Sequence, residues 1–128
     1  MTRSLPLAVA LFTGVVLVAC TAAESPSQAP GDAGAGEAQT VEVSLTEYQI
    51  DMPSSIAAGA VTFDVTNDGA EIHGFEVEGN GIEEEIEELA AGEAGTLEVE
   101  LEPGTYEVYC PVGNHRGMGM ELELEVTD

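Results

Sequence analysis

Basic residues are almost absent from this sequence, which has no lysine and only two arginines, against 20 glutamates and 5 aspartates. Nucleic acids and anionic membrane surfaces repel a chain with so strong a negative charge, so neither is expected as a partner. The acidic residues are spread along the whole of residues 41–128 and not confined to one patch, which favours a solvated surface suited to high salt concentrations. Electrostatic attraction of a basic partner is the alternative explanation.

Cysteine is also rare, and the first of the two cysteines, Cys20, closely follows an apolar stretch at 5–18. An arginine, an apolar stretch and a cleavage site of small residues form the layout of a secretory signal peptide. This stretch is shorter than the roughly 20 residues needed to span a membrane. The letters LVAC at 17–20 also resemble a bacterial lipobox, in which the signal is cut before a cysteine that then carries lipid. We predict a signal peptide at 1–19 and lipidation of Cys20, which anchors the protein to the outer face of the cytoplasmic membrane, on its periplasmic or extracellular side.

The second cysteine, Cys110, has no intramolecular partner if Cys20 carries lipid, although disulfides are common in exported proteins. A disulfide between these two cysteines is the alternative. Residues 21–40 contain no large apolar side chain, so they cannot bury enough surface to offset the entropy cost of ordering. We predict a lipid-anchored, disordered linker at 20–40 and one small domain at 41–128.

Apolar and polar residues alternate in six segments of this domain, with the period of half-buried strands. Turn-forming residues rich in glycine, asparagine and proline separate most of the segments. The pattern predicts an all-β sandwich. The segments lie at 41–45, 61–65, 75–78, 97–102, 106–110 and 120–126.

The acidic segment IEEEIEEL at 82–89 does not alternate in this way. Its apolar residues have helical spacing, but the segment is about two turns long and carries many like charges. A short helix and a loop that crosses the sandwich are both compatible with it. A solvated surface is the simpler interpretation of its glutamates, and an acidic cation or partner site is the alternative.

Three side chains with soft donor atoms fall on the core side of the predicted strands. Parity places Cys110 on the same side as Val108, His73 on the same side as Phe75, and Met120 on the same side as the apolar residues of the last strand. His115 lies midway between Cys110 and Met120, in a connection that Gly113 and Gly117 make flexible. Taken singly, these are ordinary packing residues. Together, two histidines, a cysteine and a methionine are the donor set of a His₂Cys copper site with a weak axial ligand.

With His73 upstream, the run PGTYEVYCPVGNHRGMGM at 103–120 resembles the cupredoxins, the small blue copper proteins that include plastocyanin, rusticyanin and the halocyanins. The resemblance implies a Greek-key β-sandwich that holds one type 1 copper ion, cycling between Cu(I) and Cu(II). It also implies that His73, Cys110 and His115 are equatorial ligands and Met120 is the axial one. Met118 is the alternative axial ligand, because some family loops place a methionine three residues after the histidine.

Two positions depart from the family pattern. Family members often carry an asparagine after the first histidine, where it ties the ligand loops together, and this chain has Gly74. The residue after the cysteine is Pro111, which has no N–H to donate. The sequence therefore predicts that the tie between the loops is absent or is supplied by another residue.

The resemblance implies one-electron transfer between exported or membrane redox proteins, such as cytochromes or oxidase and reductase complexes, some with basic docking faces. Electrons would pass through the edge of His115, among Pro111, Val112, Gly113 and Gly117. A copper site with no free coordination position does not predict an enzyme. We expect a monomer that meets the membrane only through its lipid anchor. An extracytoplasmic module that binds or delivers copper is the alternative function, and a structural β domain with an accidental ligand set is a third.

Overall fold

Nine β-strands make up most of the chain that the computed structural model describes, residues 37–128. The predicted signal peptide at 1–19, Cys20 and linker residues 21–36 lie outside the described residues. Within residues 37–128, no helix is long and apolar enough to cross a membrane. The strands are β1 (Gln39–Thr46), β2 (Gln49–Asp51), β3 (Ser55–Ala57), β4 (Gly59–Asn67), β5 (His73–Gly79), β6 (Ile82–Leu89), β7 (Ala94–Leu101), β8 (Gly104–Tyr109) and β9 (Glu121–Thr127).

The strands form two sheets, one of four strands in the order β2-β1-β4-β7 and one of five in the order β3-β9-β8-β5-β6. The pairs β1–β4 and β3–β9 are parallel, and the remaining pairs are antiparallel. The predicted all-β sandwich is confirmed. The six alternating segments correspond to β1, β4, β5, β7, β8 and β9, whereas β2 and β3 have three residues each and are too short to show a period.

The core lies between the sheets and consists of the inward residues of the alternating strands. Burial alternates along β1 and β4, because every second side chain of a strand points to the same face. Phe63 of the four-stranded sheet and Phe75 of the five-stranded sheet pack with ring centroids 5.2 Å apart. Each large apolar side chain that is fully buried contributes about 2 kcal/mol to folding. Other core residues with no more than 1% exposure are Leu45, Val65, Val77, Leu101, Val108 and Leu124.

Residues 82–89 form an edge strand, so the prediction of a short helix or a loop is wrong. The apolar residues of this segment share one face because β6 contains a bulge. Ile86 pairs with Phe75 and Leu89 pairs with His73, so three steps along β6 match two steps along β5. The extra residue brings both side chains to the core side despite their odd spacing. The glutamates between them line an exposed sheet edge, where charge opposes pairing with another chain.

A buried tyrosine fixes the connection that leads from β7 to β8 and so from one sheet to the other. The Tyr106 hydroxyl donates to the carbonyl oxygen of Glu102 at 3.0 Å and accepts from its N–H at 3.2 Å. Such a hydroxyl-to-backbone contact is known in β-sandwiches as a tyrosine corner. It positions the start of β8, and the residue after β8 is Cys110.

Candidate metal centre

The predicted ligands converge at one end of the sandwich. His73 begins β5, Cys110 follows β8, His115 lies in the connection between β8 and β9, and Met120 precedes β9. His73 and Met120 are fully buried, and Cys110 is 1% exposed. The Nδ1 atoms of the two histidines are 3.2 Å apart, and Cys110 Sγ is 3.6 Å from His115 Nδ1. One donor atom from each of these three residues lies within 4.8 Å of the other two.

The chemistry of these donors fits a copper ion. A thiol and two imidazole nitrogens that face one another across a buried space are the ligands preferred by copper and zinc, and a buried thioether beside them favours copper. Burial lowers the pKa of His73, and the neighbouring His115 lowers it further. His73 is therefore a neutral imidazole at neutral pH, which is the form that binds a metal.

The backbone of the connection places Met120 inside and Met118 outside. The N–H of Met120 donates to the carbonyl oxygen of His115 at 3.1 Å. The carbonyl oxygen of Met120 accepts from the N–H of Cys110, also at 3.1 Å. Residues Arg116–Met118 form a 3₁₀ turn, and Gly119 leaves it in the left-handed region with φ 99°. Met118 is 47% exposed, which favours Met120 as the axial ligand.

Gly74 explains the first departure from the family pattern. Its N–H donates to Cys110 Sγ at 3.2 Å, so the backbone itself contacts the thiol. A side chain has no room at this position. A Cβ atom there would overlap the carbonyl oxygen of Glu87 and lie 2.9 Å from that of Ile86, because the β6 bulge crosses over it. An asparagine could not be accommodated at position 74 without moving β6.

Asn67 supplies a different tie, which fastens the loop before His73 to the end of β6. Its side chain is fully buried at the end of β4. The amide nitrogen donates to the carbonyl oxygens of Glu71 and Leu89, both at 2.8 Å, and the amide oxygen accepts from the N–H of Gly69 at 2.9 Å. The loop that leads to His73 is thereby fastened to the end of β6. The sequence analysis treated this residue only as part of a turn signal.

Replacing Asn67 with alanine should destabilise the domain by about 3 kcal/mol, because three hydrogen bonds are lost and their backbone partners are left unpaired. Thermal or urea unfolding of the metal-free protein measures the change. Asn114→Ala, on the exposed part of the connection between β8 and β9, is the matched control and should change stability by no more than about 0.5 kcal/mol. Equal losses in the two variants would contradict the role of Asn67.

Three residues that the sequence analysis did not select lie against the histidines. Glu47 and Tyr48 form the two-residue turn between β1 and β2, and Glu71 precedes His73 by two positions. Tyr48 meets the His115 ring edge to face, with centroids 5.2 Å apart. The hydrogen bond from the N–H of Ala70 is the main cause that lowers the pKa of Glu47, so its side chain is a carboxylate. The one weak signal for them in the sequence is a glutamate two positions before a candidate ligand.

Arg116 holds the connection between β8 and β9 against the outer face of the five-stranded sheet. Among residues 37–128 it is the only arginine or lysine. Its guanidinium contacts Glu107 at 2.5 Å and Glu121 at 2.9 Å, and lies 3.8 Å from the ring centroid of Tyr109. Hydrogen bonds to the two carboxylates raise the pKa of Arg116, and the bond to Glu121 has the larger effect. The residue next to the ligand His115 is thus fixed to two strands of the sheet.

A β-sandwich with two histidines, a cysteine and a methionine gathered at one end defines a copper-binding protein. Residues 9–120 match the family model of the cupredoxin-like domain. The chain therefore belongs to the cupredoxin-like family. His73, Cys110, His115 and Met120 form the arrangement of a type 1 copper site.

Solved structures with this fold include auracyanins and a multicopper oxidase. Auracyanin B superimposes with a TM-score of 0.61 and 23% identity, over 71% of this chain and 90% of that one. Auracyanin A is described as a "blue" copper protein from the green thermophilic photosynthetic bacterium Chloroflexus aurantiacus. It superimposes with a TM-score of 0.57 and 18% identity, over 69% of this chain and 98% of that one. A multicopper oxidase superimposes with a TM-score of 0.52 and 17% identity, over 68% of this chain and 41% of the oxidase. At these identities the similarity shows the fold. No curated protein matches the sequence significantly.

Proposed function

We propose that the protein is a type 1 copper electron-transfer protein that carries one electron between exported or membrane redox proteins. The observation that carries this proposal is the closed donor set. His73, Cys110 and Met120 are each no more than 1% exposed, and the His115 side chain is 12% exposed. Bound copper supplies a Cu(I)/Cu(II) couple. A set of four donors leaves no position for a substrate, so we propose no catalytic activity.

The chain's own part in the function is to hold the donors in one geometry for both oxidation states. The backbone hydrogen bonds of Cys110 and Met120 join the ligand residues to one another, and the Asn67 tie attaches the loop before His73 to the end of β6. Donors held in this way cannot rearrange much when the charge of the metal changes. A small rearrangement favours rapid electron transfer.

The connection between β8 and β9 is the proposed surface for electron transfer. Gly113 and Gly117 are exposed there, and Pro111 and Val112 are half-buried. A shallow groove beside it is lined on its other side by Glu85, Glu87 and Glu88. These carboxylates support a partner with a basic docking face, such as a cytochrome. If so, electron transfer to that partner should slow as ionic strength rises.

The proposed location rests on the sequence. A signal peptide at 1–19 and a lipid on Cys20 would place the domain outside the cytoplasmic membrane, at the end of a linker that ends before β1 begins at Gln39, two residues earlier than the predicted boundary at 40. Mass spectrometry of the mature protein isolated from membranes tests this location. A diacylglyceryl group on Cys20 is the expected result, and an intact N-terminus would contradict it.

The function is tested by loading the protein with Cu(II). We expect one equivalent to bind and to produce the intense visible band of thiolate-to-copper charge transfer, which ascorbate bleaches and an oxidant restores. The alternative function, copper delivery, predicts preferential Cu(I) binding and transfer of the metal to an acceptor chelator. A colourless Cu(II) adduct, or copper lost on each reduction, would contradict electron transfer.

A further inference from the structure

The two histidines present their Nδ1 atoms to the metal centre and their Nε2 atoms to carboxylates. His73 Nε2 lies 3.9 Å from Glu47 Oε1, and His115 Nε2 lies 3.6 Å from Glu71 Oε2. His73 Nε2 is buried and has no hydrogen-bond partner among residues 37–128. Both distances exceed the hydrogen-bond range of about 3.2 Å, so each pair would form a hydrogen bond after a small side-chain movement. A buried ring nitrogen without a partner is costly, which favours that movement at His73.

The Glu47 carboxylate is held in place by the backbone. Its Oε1 atom accepts from the N–H groups of Ala70 and Glu71, at 2.5 and 3.1 Å. Gly69 leaves the space for it, since a Cβ atom there would lie 2.8 Å from Glu47 Oε1 and 3.1 Å from His73 Nε2. The same oxygen thus faces the imidazole and closes the bend that leads into β5.

The Glu71 carboxylate faces the turn between β1 and β2. The Tyr48 hydroxyl lies 3.4 Å from Glu71 Oε2, while the Tyr48 ring packs against His115. Tyr48 has φ 64°, a left-handed conformation that costs a bulky residue about 1 kcal/mol or more. Strained residues of this kind concentrate at functional sites. Here the strained conformation brings the Tyr48 hydroxyl to the carboxylate and the Tyr48 ring to the ligand ring.

We propose that Glu47 and Glu71 are positioning residues for the two histidine ligands: each carboxylate holds the proton on Nε2 and leaves Nδ1 free for copper. A carboxylate on the far nitrogen also makes the imidazole a stronger donor, which stabilises Cu(II) more than Cu(I). The pair therefore lowers the reduction potential of the site. This inference rests on the proposed function insofar as it concerns bound copper.

A chance placement is the competing explanation, because the surface is rich in glutamate and both carboxylates are about half exposed. Three observations favour the proposal. Each Nε2 atom faces a different carboxylate. His73 Nε2 is buried without a hydrogen-bond partner among the described residues. A Cβ atom at Gly69 would intrude on both Glu47 and His73.

The first experiment compares the reduction potentials of the copper-loaded wild type with those of Glu47→Gln and Glu71→Gln. Each variant should bind Cu(II) about tenfold more weakly with little change for Cu(I), which raises the potential by about 59 mV. Glu98→Gln, on the exposed face of β7, removes the same charge elsewhere and is the matched control. Shifts in the two variants no larger than the control's would overturn the proposal.

A variant that keeps every charge tests whether the position of the Glu47 carboxylate matters, and not only its charge. Gly69→Ala should displace the Glu47 carboxylate from His73 and raise the potential in the same direction as Glu47→Gln. Thermal unfolding of each variant establishes that the domain is intact. An unchanged potential in an intact Gly69→Ala protein would contradict the role of Glu47.

A second readout needs no copper and so distinguishes failure of this inference from failure of the proposed function. ¹⁵N NMR of the metal-free protein, at a pH where both rings are neutral, reports which ring nitrogen carries the proton. In the metal-free protein the two Nδ1 atoms lie 3.2 Å apart and can share one proton, so the readout is the fraction of each ring that carries its proton on Nε2. Glu47→Ala and Glu71→Ala should each lower this fraction at the facing histidine. Unchanged fractions in the two variants would overturn the proposal even if the protein turns blue with copper.

Discussion

Cys110→Ser is expected to abolish the intense visible band of the copper-loaded protein and to weaken copper binding by several orders of magnitude. The band requires a thiolate, and a serine hydroxyl is neither soft nor ionised at neutral pH. The fold should survive the change, because the N–H of Gly74, which contacts Cys110 Sγ at 3.2 Å, can donate to the serine oxygen instead. The variant therefore separates the role of the thiol in metal binding from its role in packing.

Absorption spectra and thermal unfolding, each with and without Cu(II), measure this effect. A ligand present at 1,000 times its dissociation constant stabilises the native state by about 4 kcal/mol, and this gain should be nearly absent in Cys110→Ser. Met118→Leu is the control, since Met118 is 47% exposed and close to the ligands in sequence. The Met118→Leu variant should keep both the visible band and the stabilisation by Cu(II). A blue Cys110→Ser protein, or a colourless Met118→Leu protein, would contradict the ligand assignment.

Gly74→Ala is expected to destabilise the metal-free domain by about 3 kcal/mol or more, at the upper end of the usual cost of overpacking a core. The added methyl group meets the carbonyl oxygens of Glu87 and Ile86 and the Pro111 ring, and none of these can rotate away. The bulge of β6 or the start of β5 must shift. A shift of β5 would also change the contact between the Gly74 N–H and Cys110 Sγ.

The same substitution at Gly117 is the matched control for Gly74. A Cβ atom there would lie 2.5 Å from Asn114 Oδ1, which belongs to an exposed side chain that can turn aside. Urea unfolding should show a much smaller loss for Gly117→Ala than for Gly74→Ala. In the copper-loaded proteins, only Gly74→Ala should shift the visible band. Equal stability of the two variants would mean that β6 does not cross position 74 as described.

Strand parity predicted most of the fold and the metal-binding residues. Alternation identified six of the nine strands, and it placed His73, Cys110 and Met120 on the core side, where all three are buried. Parity succeeds because a side chain on a regular strand can point to only two faces. The resemblance of the run at 103–120 to the cupredoxins supplied the rest of the ligand set, including His115 in its loop.

Parity fails where a strand is irregular, and β6 is the example. The odd spacing between Ile86 and Leu89 indicates a helix or a loop only if the strand has no bulge, and the bulge exists because β6 pairs with β5 around Gly74. The pairing partner is about ten residues away in the sequence, and the register shift is a property of the pair. Local periodicity could not reveal it.

The residues around the ligands were unpredictable for a similar reason. Asn67, Glu47 and Tyr48 have ordinary turn and strand-end sequences, and each acquires its role from contacts with segments more than twenty residues away in the chain. Glutamate is so frequent here that Glu71 does not stand out beside His73. Their roles follow from how the two sheets pack together, which no single segment encodes.

The turn between β1 and β2 belongs to the four-stranded sheet, but its side chains lie against the histidines, which are carried by the five-stranded sheet. The surroundings of the copper ligands are thus shared by both layers of the sandwich. A small slip of one layer over the other would move Glu47 and Tyr48 relative to the rings. The visible band and the reduction potential of bound copper would then change with the relative position of the two sheets. A core substitution at Phe63, which packs against Phe75 of the other sheet, should change both before it unfolds the protein.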